Sequence, residues 1–213
     1  DAVWALTDDP QRLALTTPVV ITRERPAAHV PLPLADYDPG YWRAFLGAAG
    51  LPEPELVVAC AQDHGLHPGK SSREGRFQLW ERFLRESGGR PEALVYRTPP
   101  PELTRLAVLQ NAVGGGPVAD SAAAAVLGML ADPGIAARSD ATGVMLVNVG
   151  NSHTVAALVH RRRIHGIYEH HTGMLTPDGV WADLERFRRG ALANAEVFDS
   201  GGHGCLTLAL PPE

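Results

Sequence analysis

Residues 1–213 predict an α/β chain folded as two lobes with mixed sheets, on three observations. Short apolar runs rich in β-branched residues alternate with longer stretches of helical period. Three apolar runs follow closely between Gly143 and Tyr168, separated by tight polar turns, which reads as an antiparallel meander. The length, with 45% hydrophobic and 20% charged residues, suffices for a large buried core. The first lobe is placed at residues 1–118 and the second at 119–213.

Val3–Leu6 and Leu13–Ile21, around the turn Thr7-Asp8-Asp9-Pro10, predict a β-hairpin. Residues 26–40 hold four prolines and read as a loop. Tyr41–Ala49 predicts a helix, and Glu55–Ala61 a buried strand running into Gln62-Asp63-His64-Gly65. Arg73–Glu86 carries Phe77, Trp80, Phe83 and Leu84 at helical spacing before Gly88-Gly89, which predicts a core-facing helix with a glycine stop. A short strand over Leu94–Tyr96 and a helix over Glu102–Val113 follow. Asp120 to Leu130 is a helix of small residues with a Ser or Asp cap. Gly143–Gly150, Thr154–His160 and Ile164–Tyr168 are the meander strands. Pro177–Ala193 predicts a helix, and Leu206–Leu210 a last strand.

The net charge of −5 offers no cationic excess for a phosphate backbone, so nucleic acid is not expected as a partner. Arg161-Arg162-Arg163 sits between two apolar runs and reads as a solvated turn. No apolar run is long enough to span a bilayer and no charged-then-apolar leader opens the chain, so a cytoplasmic protein without a membrane partner is expected. Cys60 and Cys205 are the two cysteines, too few for a disulfide framework or a thiolate metal site. The chain opens without Met on an apolar stretch, so residues are expected upstream of Asp1. Nothing in the pattern sets an oligomeric state.

Asn148-Val149-Gly150-Asn151-Ser152-His153-Thr154 places backbone amides, an Asn, a Ser and a Thr at a hairpin turn. Such a turn suits clasping phosphate oxygens, and it is equally what any tight hairpin needs. The loop resembles the second phosphate loop of the actin, sugar-kinase and heat-shock-chaperone ATPase superfamily, Asp-x-Gly-x-x-x-Thr, with Asn148, Gly150 and Thr154 at the three fixed positions. The helix from Asp120 is similar to that superfamily's connecting helix. Ser200-Gly201-Gly202-His203 is placed like its adenosine loop. The resemblance implies a two-lobed actin-like (ribonuclease H-like) ATPase fold whose first phosphate loop lies before Asp1. It also implies ATP or a related nucleotide held by Asn148, Gly150, Asn151, Ser152, His153 and Thr154, with Gly201 and Gly202 near the base. Asn148 stands where that superfamily has the Asp serving magnesium, which leaves magnesium binding open.

Most of the chain also resembles an uncharacterised prokaryotic family labelled pyruvate formate-lyase activating enzyme-like, through its Gln-Asp-His-Gly, Asn-x-Gly-Asn-x-His-Thr and Glu-His-His-Thr-Gly segments. A radical activase of that name needs three clustered cysteines for its iron–sulfur cluster, so no such cluster is expected here. The leading expectation is a protein that binds a nucleotide or another small phosphorylated ligand, as an ATPase or phosphotransferase. Asp63, His64, Glu169 and His170 are its candidate catalytic groups, Asp63 or Glu169 orienting the attacking hydroxyl or water. The alternatives are a metal-dependent hydrolase built on His64, His67, His153, His170, His171 and His203 with Asp63 and Glu169, or a non-catalytic binding protein. Which residues would ligate a metal is open at this level.

Overall fold

The computed structural model describes residues 4–6, 20–30 and 35–208, and the chain divides into compact units at 1–34 and 35–213. In the first unit, strands β1 (Trp4–Leu6) and β2 (Val20–Thr22) pair in parallel, Trp4 opposite Val20. This corrects the expected hairpin. Antiparallel strands can return through a tight turn, whereas parallel ones need a crossover of about a dozen residues, and residues 7–19 lie between these two. The expected turn at Thr7–Pro10 and the start of the second strand lie outside the described residues.

The second unit is α/β with mixed sheets. It runs α1 (Pro39–Ala48), β3 (Ala59–Ala61), α2 (Ser72–Ser87), β4 (Val95–Tyr96), α3 (Thr104–Ala112), β5 (Val118–Asp120), α4 (Ser121–Leu130), α5 (Pro133–Ala141), β6 (Val144–Val149), β7 (His153–His160), β8 (Arg163–His171), α6 (Pro177–Arg188), α7 (Asn194–Asp199) and β9 (Gly204–Thr207). Strands β3, β5 and β4 form a three-stranded sheet in that order, β3 parallel and β4 antiparallel to β5. Strands β6 to β9 form an antiparallel sheet in sequence order, so the expected meander is present and gains a fourth strand.

The stripe on α2 explains the packing. Phe77, Trp80, Phe83 and Leu84 pack with Ala122, Ala123 and Val126 of α4 against Leu146, Val155, Ala157, Val159, Ile164 and Ile167 on one face of the meander. On the other face Ala156, Tyr168 and Cys205 meet Leu184 and Phe187 of α6 and Val197 of α7. Leu103, Leu106, Leu109 and Val113 cover Val118 of the smaller sheet. Helix α2 stops at Gly88, whose φ of 61° is left-handed. Asp120 caps α4 by accepting the Ala122 amide, and Asp132 caps α5 through Ile135.

Several boundaries differ from the sequence reading. Strand β3 is confined to Ala59–Ala61, and Leu56 and Val58 before it are exposed. Strand β8 continues beyond the expected end at Tyr168 through Glu169-His170-His171, because each of those residues pairs across with β7. Helix α6 ends at Arg188 before Gly190, and the last strand begins at Gly204. Strand β5 and helices α5 and α7 were not anticipated. Among the described residues no helix is long and apolar enough to cross a membrane.

Arg161 and Arg162 turn β7 into β8 with φ of 48° and 58°, left-handed at both positions. A two-residue turn of this hand matches the strand twist but favours Asn and Gly. Each non-glycine residue held there costs about 1 kcal/mol or more. Arg161→Asn combined with Arg162→Gly is therefore expected to raise stability by about 1 kcal/mol, read as a midpoint increase of roughly 2–4 °C in thermal unfolding.

Candidate functional site

The site begins with a buried cation. Arg76 projects from α2, 3% exposed, and donates to Glu169 of β8 at 3.0 Å, to Asp120 at the end of β5 at 2.8 Å, and to the Asp63 carbonyl after β3 at 3.1 Å. Trp80 Nε1 donates to Glu169 at 2.7 Å, and the guanidinium lies over the Trp80 ring. Burial pushes the Glu169 carboxyl up, but Arg76 outweighs it and holds the group down at about 2. Burial likewise opposes the charge on Arg76, and Glu169 and Asp120 raise its affinity for its proton above the ordinary value. Glu169 is thus a tethered structural carboxylate at this centre.

Asp63 builds the adjoining loop. Its Oδ1 accepts the Gly65 amide and its Oδ2 the Leu106 amide, while its own amide donates to Asp120 Oδ2. Both of its carboxylate oxygens are therefore engaged by the backbone. The loop so fixed presents His64. His67 lies against Gly75 of α2 and its Nε2 donates to the His64 carbonyl, so it supports the loop from behind.

Three elements bring imidazoles to this loop. His153 opens β7 and His171 closes β8, directly opposite one another in register. His203 precedes β9, its amide donating to the Glu169 carbonyl at 2.9 Å. The rings of His64, His153 and His203 stand 4.9–5.0 Å apart in all three pairings. Their ligand atoms lie within 4.8 Å of one another, and Nε2 of His153 is 3.1 Å from Nε2 of His203. The Nε2 of His64 and the Nδ1 of His203 are buried and without hydrogen-bond partners. The side-chain amide of Gln62 is 2.5 Å from His153 Nδ1. Amide oxygen and nitrogen are interchangeable in such a contact, and with the oxygen inward Gln62 accepts Nδ1–H and leaves Nε2 as a lone pair. His171 sits beside the trio, its Nδ1–H donated to the Gly201 carbonyl at 2.8 Å.

Burial depresses all three imidazoles. His203 falls to about 3 and His153 to about 4, and His64 is lowered by burial and by the nearby Arg76 charge. Neutral imidazoles with free, converging lone pairs are the form a transition metal binds. Two carboxylates, Asp120 and Glu169, share one guanidinium here, a net negative charge that a bound cation would offset.

His170 points to the opposite face of β8, fully buried, with Nε2 at 3.1 Å from Ser200 Oγ. In the β6–β7 turn, Gly150 donates its amide to the His153 carbonyl, and Thr154 Oγ1 is buried against Thr172 Oγ1. Asn151 and Ser152 are exposed at the tip, and Asn148 is half-buried opposite Val155. Gly201 and Gly202 carry no side chain where Met174 and His170 crowd them, and their carbonyls accept from His171 and Arg73. Sequence reasoning missed Arg76 and Gln62. Arg76 was hidden because it occupies a polar slot in an otherwise amphipathic helix.

Two predictions follow from these charges. Arg76→Ala leaves Glu169 and Asp120 buried without their cation and is expected to cost about 3–5 kcal/mol, measured by urea unfolding. The depressed histidines are neutral when folded but take up protons below about pH 6.5 when unfolded. Stability measured in chelator is therefore expected to be full above that pH and to fall as pH drops toward the folded values of about 4 and 3. His203→Gln should flatten this slope between pH 6.5 and 4.

Residues 1–213 contain two cysteines, Cys60 exposed on β3 and Cys205 buried on β9, so the three thiolates of a radical iron–sulfur centre are not supplied within them. No curated protein and no solved structure matches the chain. A family model matches residues 1–212, and the chain belongs to the family described as "Putative pyruvate format-lyase activating enzyme (DUF1786)".

Proposed function

We propose that this chain is a metal-dependent hydrolase whose divalent transition metal is held by His64, His153 and His203. The observation that carries the reading is the imidazole trio, His203 buried and His64 and His153 half-buried, with ligand atoms within 4.8 Å of one another and two Nε2 atoms 3.1 Å apart. Two nitrogens on a tetrahedral zinc at about 2.0–2.1 Å sit roughly 3.3 Å from each other. The partnerless Nε2 of His64 fits the same role, since a buried polar atom without a hydrogen bond is costly unless something else satisfies it. Three imidazoles leave a fourth position for water, and a metal so held supplies an acidified water and a Lewis acid for a carbonyl or phosphoryl group. Gln62 fixes the His153 ring, Asp63 fixes the loop of His64, and Glu169 anchors the strand end beside His203.

A second reading, a nucleotide or phosphorylated ligand within an actin-like ATPase fold, draws support from the exposed Asn151 and Ser152 at the β6–β7 tip. It asks for donors beyond the Gly150 amide and Thr154 hydroxyl, which are already engaged.

Chelator-stripped protein dialysed against micromolar zinc or cobalt is expected to take up one ion per chain. Saturation at about 100 times the dissociation constant adds roughly 2.7 kcal/mol, or a midpoint rise of roughly 5–10 °C. Uptake unchanged by replacing His64, His153 and His203 together with Ala would overturn the metal site. The same melt with ATP and magnesium tests the second reading, which requires a comparable rise.

A further inference from the structure

We propose that Ser200 and His170 form a nucleophilic pair that transfers acyl groups from carboxylic esters, separate from the imidazole trio. His170 lies on the face of β8 opposite Glu169 and His171 and is fully buried, whereas Ser200, the residue after α7, is exposed. The Nδ1 of His170 is 3.1 Å from the His171 carbonyl. A carbonyl only accepts, so the proton of a neutral His170 is on Nδ1 and its Nε2 bears the lone pair. That Nε2 stands 3.1 Å from Ser200 Oγ. The Val197 carbonyl, which also receives the Gly202 amide at 2.8 Å, is a second acceptor for the hydroxyl proton, at 3.0 Å, but a carbonyl is far less basic than an imidazole. The hydroxyl proton therefore has a basic acceptor with a fixed tautomer, the relation that activates serine nucleophiles.

The surroundings suit an apolar acyl group. Met174, 61% exposed, lies against Gly201, and Phe198 lies under Arg73, whose Nη1 donates to the Phe198 and Gly202 carbonyls and so ties the end of α7 to α2. Gly202 is held against the His170 ring, where a Cβ would stand 2.5 Å from it, so the main chain cannot swing the serine away without unpacking the histidine.

In the first step Ser200 Oγ bonds to the ester carbonyl carbon as its proton passes to His170 Nε2. The bond from that carbon to the leaving oxygen breaks, and the alcohol departs with the proton. Water then adds to the acyl carbon while giving a proton to Nε2. Oγ leaves with that proton, and the carboxylic acid is released.

The test uses the whole chain in chelator, so that metal plays no part. A fluorophosphonate probe is expected to add once, at Ser200 by peptide mass, and p-nitrophenyl acetate should release a burst of about one p-nitrophenolate per chain. Ser200→Ala, at an exposed position, should abolish both with the fold intact. His170→Gln keeps a polar group near the hydroxyl but cannot take up its proton, and should slow labelling by at least about 100-fold. Absence of the Ser200 adduct in the wild-type chain, or labelling of folded His170→Gln at the wild-type rate, would overturn the proposal.

Discussion

A guanidinium removed from water needs its full set of acceptors, and Arg76 finds them on three separate pieces of chain. It reaches Asp63 beyond β3, Asp120 at the end of β5 and Glu169 in β8, which join the smaller sheet to the larger through α2. The same helix supplies Phe77, Trp80, Phe83 and Leu84 to the core of the meander. Apolar burial gives that contact its strength, and the ion network gives it one allowed register, because a shift along α2 would strand three charges. Buried ionic groups are often neutral for stability against apolar substitutes. The role read here is specification of geometry.

That geometry reaches the imidazoles by short main-chain steps, through sequence, strand pairing and a backbone hydrogen bond. His64 follows Asp63, His153 sits opposite the strand that carries Glu169, and His203 donates its amide to the Glu169 carbonyl. Each histidine is thus tied through the main chain to a residue locked by Arg76. The rings themselves are hydrogen-bonded sparingly, which leaves lone pairs directed inward. A rigid frame around such a cluster holds its rings in fixed orientation.

Much of the frame was legible in the sequence. The aromatic period of α2, the glycine stop at Gly88, the caps at Asp120 and the three apolar runs of the meander all express local rules that the tertiary fold obeys. Strand β5 was hidden because Val118-Ala119-Asp120 is too short to show alternation, and its identity comes from pairing with Ala59–Ala61 and Val95–Tyr96. Strand β8 was cut short because Glu169-His170-His171 looks polar, yet the first two residues are fully buried, satisfied by Arg76 and Ser200 from distant parts of the chain. The histidines were recognisable as a group, but which of them meet depends on strand parity. His170 and His171 are adjacent and point to opposite faces, so only the second joins His153 and His203.

Parity also makes the far end of the β7–β8 ribbon matter. Ser139 on α5 receives the amides of Arg161 and Arg162, the first through its carbonyl and the second through its hydroxyl, and so clamps the turn. From there the two strands run back, through one irregularity at Leu158/Val159, until His153 and His171 meet. The turn works as a vernier: one residue gained or lost at it would exchange inward for outward along the ribbon and replace His171 by His170 at the imidazole trio. Length at residues 161–162 is therefore a more stringent constraint on the site than the identity of any side chain exposed there.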